Sequence, residues 1–211
     1  MCSGGLDSVV VCSVLQDKGH SLGLCFVRYG QRAQAQEERC VENLARYYSA
    51  VYYVVDAVGV FGTGSKILQS SGPISNNEDL AGQAAWVPAR NLVLLSLGIV
   101  QAQLYDYRNV AIGNIAAGAY PDNQPAFTAR FNDLLFHATG ARPDQLSILA
   151  PINLLTKPQV VRLGEDFQAP FRYSWSCYTQ GPVHCGKCAS CKSRRAAFLE
   201  AKVADHVDYE K

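Results

Sequence analysis

Apolar and polar positions along this chain fall into blocks that switch between helical and extended periods. Val9 to Leu15 is an apolar stretch behind a glycine pair, closed by Asp17-Lys18-Gly19, which predicts a helix ended by glycine. Ser21 to Arg28 is short and apolar, Gln34 to Tyr48 is helical in composition, and Ala50 to Asp56 is β-branched and aromatic, which predicts strand, helix, strand. The stretch from Gly59 to Ala85 is rich in Gly, Ser, Asn and Gln with weak periodicity. It is too long for a tight connection, so a mobile loop or lid is expected around 59–86. Pro88 opens a helix to about Leu104 that is apolar nearly all round, which predicts burial against a sheet and not exposure on one side. Arg108 to Ile115 reads as a strand, Phe127 to Thr139 as a helix, Leu146 to Leu149 as a short strand and Lys157 to Phe167 as a helix.

Strands alternating with helices specify an α/β fold, a Rossmann-like parallel sheet covered by helices on both faces. The expected division is a nucleotide-binding domain over residues 1–172 and a small metal-binding segment with a C-terminal helix over 173–211. One element is missing from the pattern. In such folds a glycine-rich phosphate loop follows a buried strand, yet only Met1 and Cys2 precede Ser3, so residues upstream of Met1 are expected.

That phosphate loop is Ser3-Gly4-Gly5-Leu6-Asp7-Ser8. Two glycines let backbone approach a phosphate closely, the serine hydroxyls can donate to its oxygens, and the helix that follows adds its dipole. Asp7 would repel a phosphate directly but can hold Mg²⁺ that bridges to one. Gly-Gly-x-Asp alone would read equally well as a capped turn. The full hexapeptide resembles the signature of the PP-loop ATP pyrophosphatases, which cleave ATP between the α and β phosphates and leave AMP on a substrate oxygen.

Composition narrows the setting. An apolar fraction of 48% with 18% charged residues fits a globule, and no stretch approaches the roughly 20 apolar residues of a membrane span. The N-terminus lacks the features of a secretory signal, so a cytoplasmic location is expected, with cysteines kept as thiols or ligands. A formal net charge of +1 gives no general attraction for nucleic acid. The local cluster Lys187, Lys192, Arg194 and Arg195 reads as a solvated helix start.

Cys2, Cys12, Cys25 and Cys40 are scattered, whereas Cys177, Cys185, Cys188 and Cys191 are bunched with spacers of seven, two and two residues. Four thiolates complete a closed tetrahedral site, and Gly186 permits a tight turn between two of them, so structural Zn²⁺ is expected, with an iron–sulfur cluster as the main alternative. His184 adjoins a ligand but is not needed as one. The metal would hold Ser174 to Tyr178 against the ligand edge of the sheet.

Further segments are similar to one family within that group, the 7-cyano-7-deazaguanine (preQ0) synthases of queuosine biosynthesis. They are Tyr29-Gly30-Gln31-Arg32, Val87-Pro88-Ala89-Arg90-Asn91, Tyr120-Pro121-Asp122, Lys157 with Val161-Arg162-Leu163-Gly164, and Ser174-Trp175-Ser176-Cys177-Tyr178. The resemblance implies an adenine nucleotide alpha hydrolase-like fold, a homodimer, and adenylation of 7-carboxy-7-deazaguanine, which ammonia and a second ATP convert to the amide and then the nitrile. It implies that Ser3 to Ser8, Tyr29, Gln31, Arg32 and Gly113 bind ATP and that Arg90, Asn91, Tyr120, Asp122 and Trp175 meet the substrate. Asp7, Arg90 and Lys157 would carry the catalysis. The chain departs from the family pattern at Ala33, where a histidine is usual, and between Gly113 and Asn123, where an aspartate and a cysteine are absent. These departures leave open a relative that stops at the amide or joins the deazaguanine to another amine, such as a protein N-terminus. A tRNA-thiolating enzyme, or a zinc-stabilised nucleotide-binding module without chemistry of its own, are the alternatives from other classes.

Overall fold

The computed structural model describes residues 1–62, 65, 67–68, 86–115 and 120–210. Six helices and four strands alternate among them: α1 Leu6–Asp17, β1 Gly23–Arg28, α2 Gln34–Tyr48, β2 Val51–Asp56, α3 Arg90–Leu104, β3 Asn109–Ala111, α4 Pro125–Thr139, β4 Ser147–Leu149, α5 Lys157–Asp166 and α6 Ala189–Ala201. Single 3-10 turns at Pro121–Asn123 and Phe171–Tyr173 precede α4 and the cysteine segment.

The strands form two parallel pairs, β1 with β2 and β3 with β4. Met1 and Cys2 run between the pairs: the Met1 amino group donates to Ala111 O at 2.7 Å and the Cys2 amide to Cys25 O at 2.8 Å. The backbone just before the glycine loop therefore lies where a strand between β1 and β3 would lie. A cleft of about 790 Å³ is lined by Cys2, Gly23, Cys25, Tyr107 and Ala111 among others.

Helices cover both faces. On one, α1, α2, α5 and α6 bury Val9, Val10, Val41, Leu44, Val160, Val161 and Phe198 with Leu24 and Phe26 of β1. On the other, α3 and α4 bury Leu95, Ile99, Phe131 and Leu135 with Val110 and Ile148. Alternate residues of one strand thus serve opposite layers, as period-two geometry requires. β1 is buried along Leu24 to Val27, which accounts for its unbroken apolar run.

Three expectations are corrected. Helix α3 begins at Arg90, because Ala89 takes a left-handed φ of 53° that breaks the helical path after Pro88. It is not buried all round: Leu92, Val100 and Leu104 lie on an exposed face. The third strand stops at Ala111, where pairing with β4 ends, although Ile112 still donates to Leu149 O at 2.9 Å. Most of the loop expected around 59–86 lies outside the described residues, as do 116–119 within the divergent segment.

Candidate active site

The glycine loop leads straight into α1. Gly5 is the N-cap and no side chain caps the helix, so the first-turn amides face outward with the helix dipole behind them. Ser3 and Ser8 close the loop, with their hydroxyls 3.0 Å apart and the Ser3 amide donating to Ser8 Oγ at 3.3 Å. Gly4 holds φ +70°, and a Cβ there would lie 2.5 Å from the Glu37 carbonyl oxygen. Gly113 faces the loop from the end of β3, where a Cβ would come within 3.0 Å of the Ser8 amide. Only glycine fits at Gly4, and at Gly113 a side chain would crowd the Asp7–Ser8 backbone, so backbone from α2 and from the end of β3 presses directly on the loop.

Beside this loop is a cavity of about 280 Å³ at the C-terminal ends of β1 and β3, the edge where open α/β sheets bind ligands. Among its walls are Ser3, Asp7, Ser8, Tyr29, Gln31, Arg90, Asn91 and Gly113, all expected from the sequence. Gln31 braces the turn after β1, accepting from the Tyr29 amide at 2.8 Å and donating to Val27 O at 3.0 Å. Arg90 enters from the start of α3. Burial works to lower its pKa, and Tyr29, Asp122 and Glu37 around it outweigh that and raise it, so the cation is held firmly.

Other expected residues sit nearby in supporting positions. Lys157 grips both Asp7 oxygens at 2.7 Å, which ties the first turns of α5 and α1 together. Asp122 accepts from the Asn91 amide at 2.9 Å and so secures the start of α3. Arg32 donates from Nε to Leu68 O at 3.3 Å, Tyr120 is close enough to Arg90 and Asp122 to feel both charges, and the Leu6 side chain is in the core. Trp175 is buried: its amide donates to Gly4 O at 2.8 Å and its ring stacks on His184 at 4.3 Å, so it props the loop from behind.

The structure adds Glu37, which the sequence did not single out, and brings to the same cavity Asn114 and Asn123 of the divergent segment and Tyr178, which follows Cys177 in the family-like stretch. Asn114 donates to Asn123 O at 3.0 Å, which leaves its buried Oδ1 without a hydrogen-bond partner among the described residues. An orphan acceptor in a cavity wall suits a ligand bearing an N–H donor. Burial pushes the Glu37 carboxyl up to about 7, against the opposing pull of Gln31 and Arg90. Glu37 was hidden because an acid in a helix's first turn is normally a surface residue favoured by the dipole.

Below the loop, the four clustered cysteines bring their sulfurs within 4.8 Å of one another. The Cys185–Cys191 and Cys188–Cys177 sulfurs are 4.0 Å apart, near the edge of about 3.8 Å expected for a tetrahedron of 2.3 Å metal–sulfur bonds. The amides of Cys185, Cys188 and Cys191 each point at a sulfur of the set, at 3.4 Å, as donors to thiolates do. Without a cation the set cannot ionise together: the Cys188 thiol helps pull Cys177 down while Cys177 pushes Cys191 far up. This donor set fits a divalent metal. His184 is not part of it and accepts from the Ser176 amide at 3.0 Å instead.

The basic cluster is corrected. Lys187, Lys192 and Arg195 are exposed, but Arg194 is buried and bonded to Asp205, Ser174, Ser176 and Phe171 O. Together with Gln180 Nε2 donating to Arg32 O and Gln36 Nε2 donating to Gly181 O, it fastens the cysteine segment to the loop side of the sheet.

A family model described as "Queuosine biosynthesis protein QueC" matches residues 1–202. The chain is 34% identical over 217 residues to the 7-cyano-7-deazaguanine synthase of Methanothrix thermoacetophila, covering 100% of this chain and 97% of that one. It is 35% identical over 218 residues to the protein of the same name from Sulfolobus acidocaldarius, of which it spans about half, 47%. Among solved structures, the NMN synthetase of Francisella tularensis overlaps 96% of this chain and 85% of its own, with 17% identity and a TM-score of 0.48.

Proposed function

The chain belongs to the QueC family of queuosine biosynthesis proteins, and from that membership we propose that it is the ATP-dependent carbon–nitrogen ligase that makes 7-cyano-7-deazaguanine. Its substrate is 7-carboxy-7-deazaguanine, activated as the acyl adenylate, converted by ammonia to the amide, and dehydrated to the nitrile with a second ATP. The observation that carries this reading is one cavity in which an uncapped helix N-terminus, a serine–glycine loop and a half-buried, firmly charged Arg90 meet. The loop and helix amides receive phosphate, and Arg90 offers a fixed positive charge to a carboxylate or to charge developing at phosphorus. Asp7 would hold Mg²⁺ if its bond to Lys157 opens, after which Lys157 is released toward the phosphates. The four cysteines would hold one structural Zn²⁺, which keeps no open position for substrate.

Relatives along the whole chain carry the nitrile-forming name, so conjugation to another amine or arrest at the amide is not favoured, and no observation supports thiolation. We place the chain in the cytoplasm, where its thiols stay reduced; no helix among the described residues is long and apolar enough to cross a membrane. It works as a homodimer: the exposed apolar face of α3, Leu92, Val100 and Leu104, supports that reading. Incubation with ATP, Mg²⁺, ammonium and the deazaguanine acid, followed by mass spectrometry, is expected to give the nitrile with two AMP and two pyrophosphate per product. Amide or adenylate accumulating without nitrile would overturn the reading.

A further inference from the structure

Both nitrogen steps of the proposed reaction shed a proton from nitrogen, and the cavity must supply a place for it. Among the described residues its walls contain no histidine. Asp7 is engaged through both oxygens by Lys157, and would be taken up by Mg²⁺ if that bond opened. Burial raises Tyr29 and takes Tyr178 to about 12, so neither phenol is ionised near neutrality. Of the cavity-lining thiols, burial raises Cys25, and Cys2, lowered by its hydrogen bond to Cys12, is held in that bond with only 4% of its surface exposed. That leaves Glu37 on the first turn of α2, whose backbone carbonyl lies against Gly4 and which is thereby anchored beside the phosphate loop.

We propose that Glu37 is the base of the nitrogen chemistry, a role that rests on the function proposed above. In the first step the lone pair of ammonia forms the nitrogen–carbon bond, the carbon–oxygen bond to AMP breaks with its electron pair leaving on the phosphate, and the proton shed by nitrogen goes to the Glu37 carboxylate. In the second, the adenylated amide gives its remaining N–H proton to Glu37. The N–H electron pair becomes the third carbon–nitrogen bond, and AMP leaves with the carbon–oxygen pair. Each turn of the base ends with the proton returned to solvent.

The surroundings suit the task. The charged and titratable groups that act on Glu37 or line its cavity are Arg90 from α3, Tyr29 from the turn after β1, Cys40 on its own helix, Cys2 before the glycine loop, Cys25 of β1, Tyr178 of the cysteine segment, and the Asp7–Lys157 pair across the cavity. Arg90 favours the carboxylate, and burial opposes it strongly enough that the group is about half ionised near pH 7. A carboxyl in the ordinary range would be too weak a base to take protons from nitrogen at neutral pH.

The test compares the wild-type chain with Glu37→Gln and Glu37→Ala. Acid-dependent pyrophosphate release without ammonium reads the adenylation, and amide and nitrile formation with ammonium is read from pH 6 to 9. In the wild type, nitrile formation should rise through about pH 7 and then level. Glu37→Gln should lose roughly 100-fold or more in nitrile formation, lose that acidic limb, and lose far less in adenylation. Formate, a carboxylate small enough for the vacated space, should restore Glu37→Ala about tenfold or more, which a merely structural role would not permit. Nitrile formed by Glu37→Gln at the wild-type rate with the limb intact overturns the proposal, as does equal loss of adenylation and nitrile with no rescue by formate. If the wild-type chain releases no acid-dependent pyrophosphate, the proposed function itself has failed.

Discussion

Arg194→Met should be the most damaging substitution away from the cavity. The guanidinium is 1% exposed. Its Nε and Nη2 donate to the Asp205 carboxylate at 2.9 Å each, Nη1 donates to Ser174 Oγ at 2.7 Å and to Ser176 Oγ at 3.2 Å, and the plane lies 5.0 Å over the Phe198 ring. Methionine keeps the apolar stem but leaves Asp205 without a cation, held by the Tyr209 hydroxyl at 2.6 Å and the Val207 amide. Breaking one side of a buried pair costs about 3–5 kcal/mol, because the remaining charge stays desolvated. That is a fifth or more of the roughly 5–15 kcal/mol that holds a domain together. Urea unfolding of the metal-loaded chain at neutral pH measures it, with Asp205→Asn and the double substitution completing a cycle. The double variant should be less destabilised than the sum of the singles, since removing both partners leaves no unpaired charge. Burial would raise the Asp205 pKa, but Arg194 and Tyr209 outweigh it and the pKa falls below its usual 3.8. The pair's contribution is therefore present above that range and is lost as pH falls through the lowered value, so wild type and variant should converge in acid. A loss under about 1 kcal/mol, or strict additivity, would refute the argument.

Gly4→Ala must hold a left-handed backbone, at about 1–2 kcal/mol, and move the Glu37 carbonyl as well. ATP-dependent pyrophosphate release should drop about tenfold or more, while far-UV circular dichroism stays unchanged. Elemental analysis should find one zinc per chain. Cys188→Ser or a strong chelator should remove it and lower the melting temperature, with the three remaining thiols of the variant, or all four of the chelated wild type, becoming reactive to a disulfide reagent. Val100→Glu should convert a dimer to a monomer in analytical ultracentrifugation, and an unchanged dimer would mean that α3 is not the interface. Glu37→Gln should stabilise the fold above pH 7 by up to about 3 kcal/mol and have no such effect below pH 4.5. The sign follows because a raised carboxyl carries its burial penalty only when ionised, and a melting curve at pH 8 and another at pH 4 check it.

What the sequence determined by itself was what local chain geometry encodes. The order of helices and strands followed from apolar periods within single segments, and the glycine loop and the cysteine spacing carry their chemistry within six and fifteen consecutive residues. The place of Met1 and Cys2, between β1 and β3, came only from the structure. The tertiary structure decided which charges are buried and with whom, because that depends on segments far apart in the chain. Asp7 and Lys157 meet across 150 residues. Arg194 looked like one of four solvated cations until Asp205 and Ser174 closed around it, and Glu37 looked like a surface acid until Arg90, Tyr29 and the glycine loop enclosed it. The apolar pattern of α3 was compatible with burial on every side, and only the positions of β3 and α4 left one of its faces exposed. Burial changes the free energy of a charge by several kcal/mol, and nothing in a residue's immediate neighbours along the chain reports it.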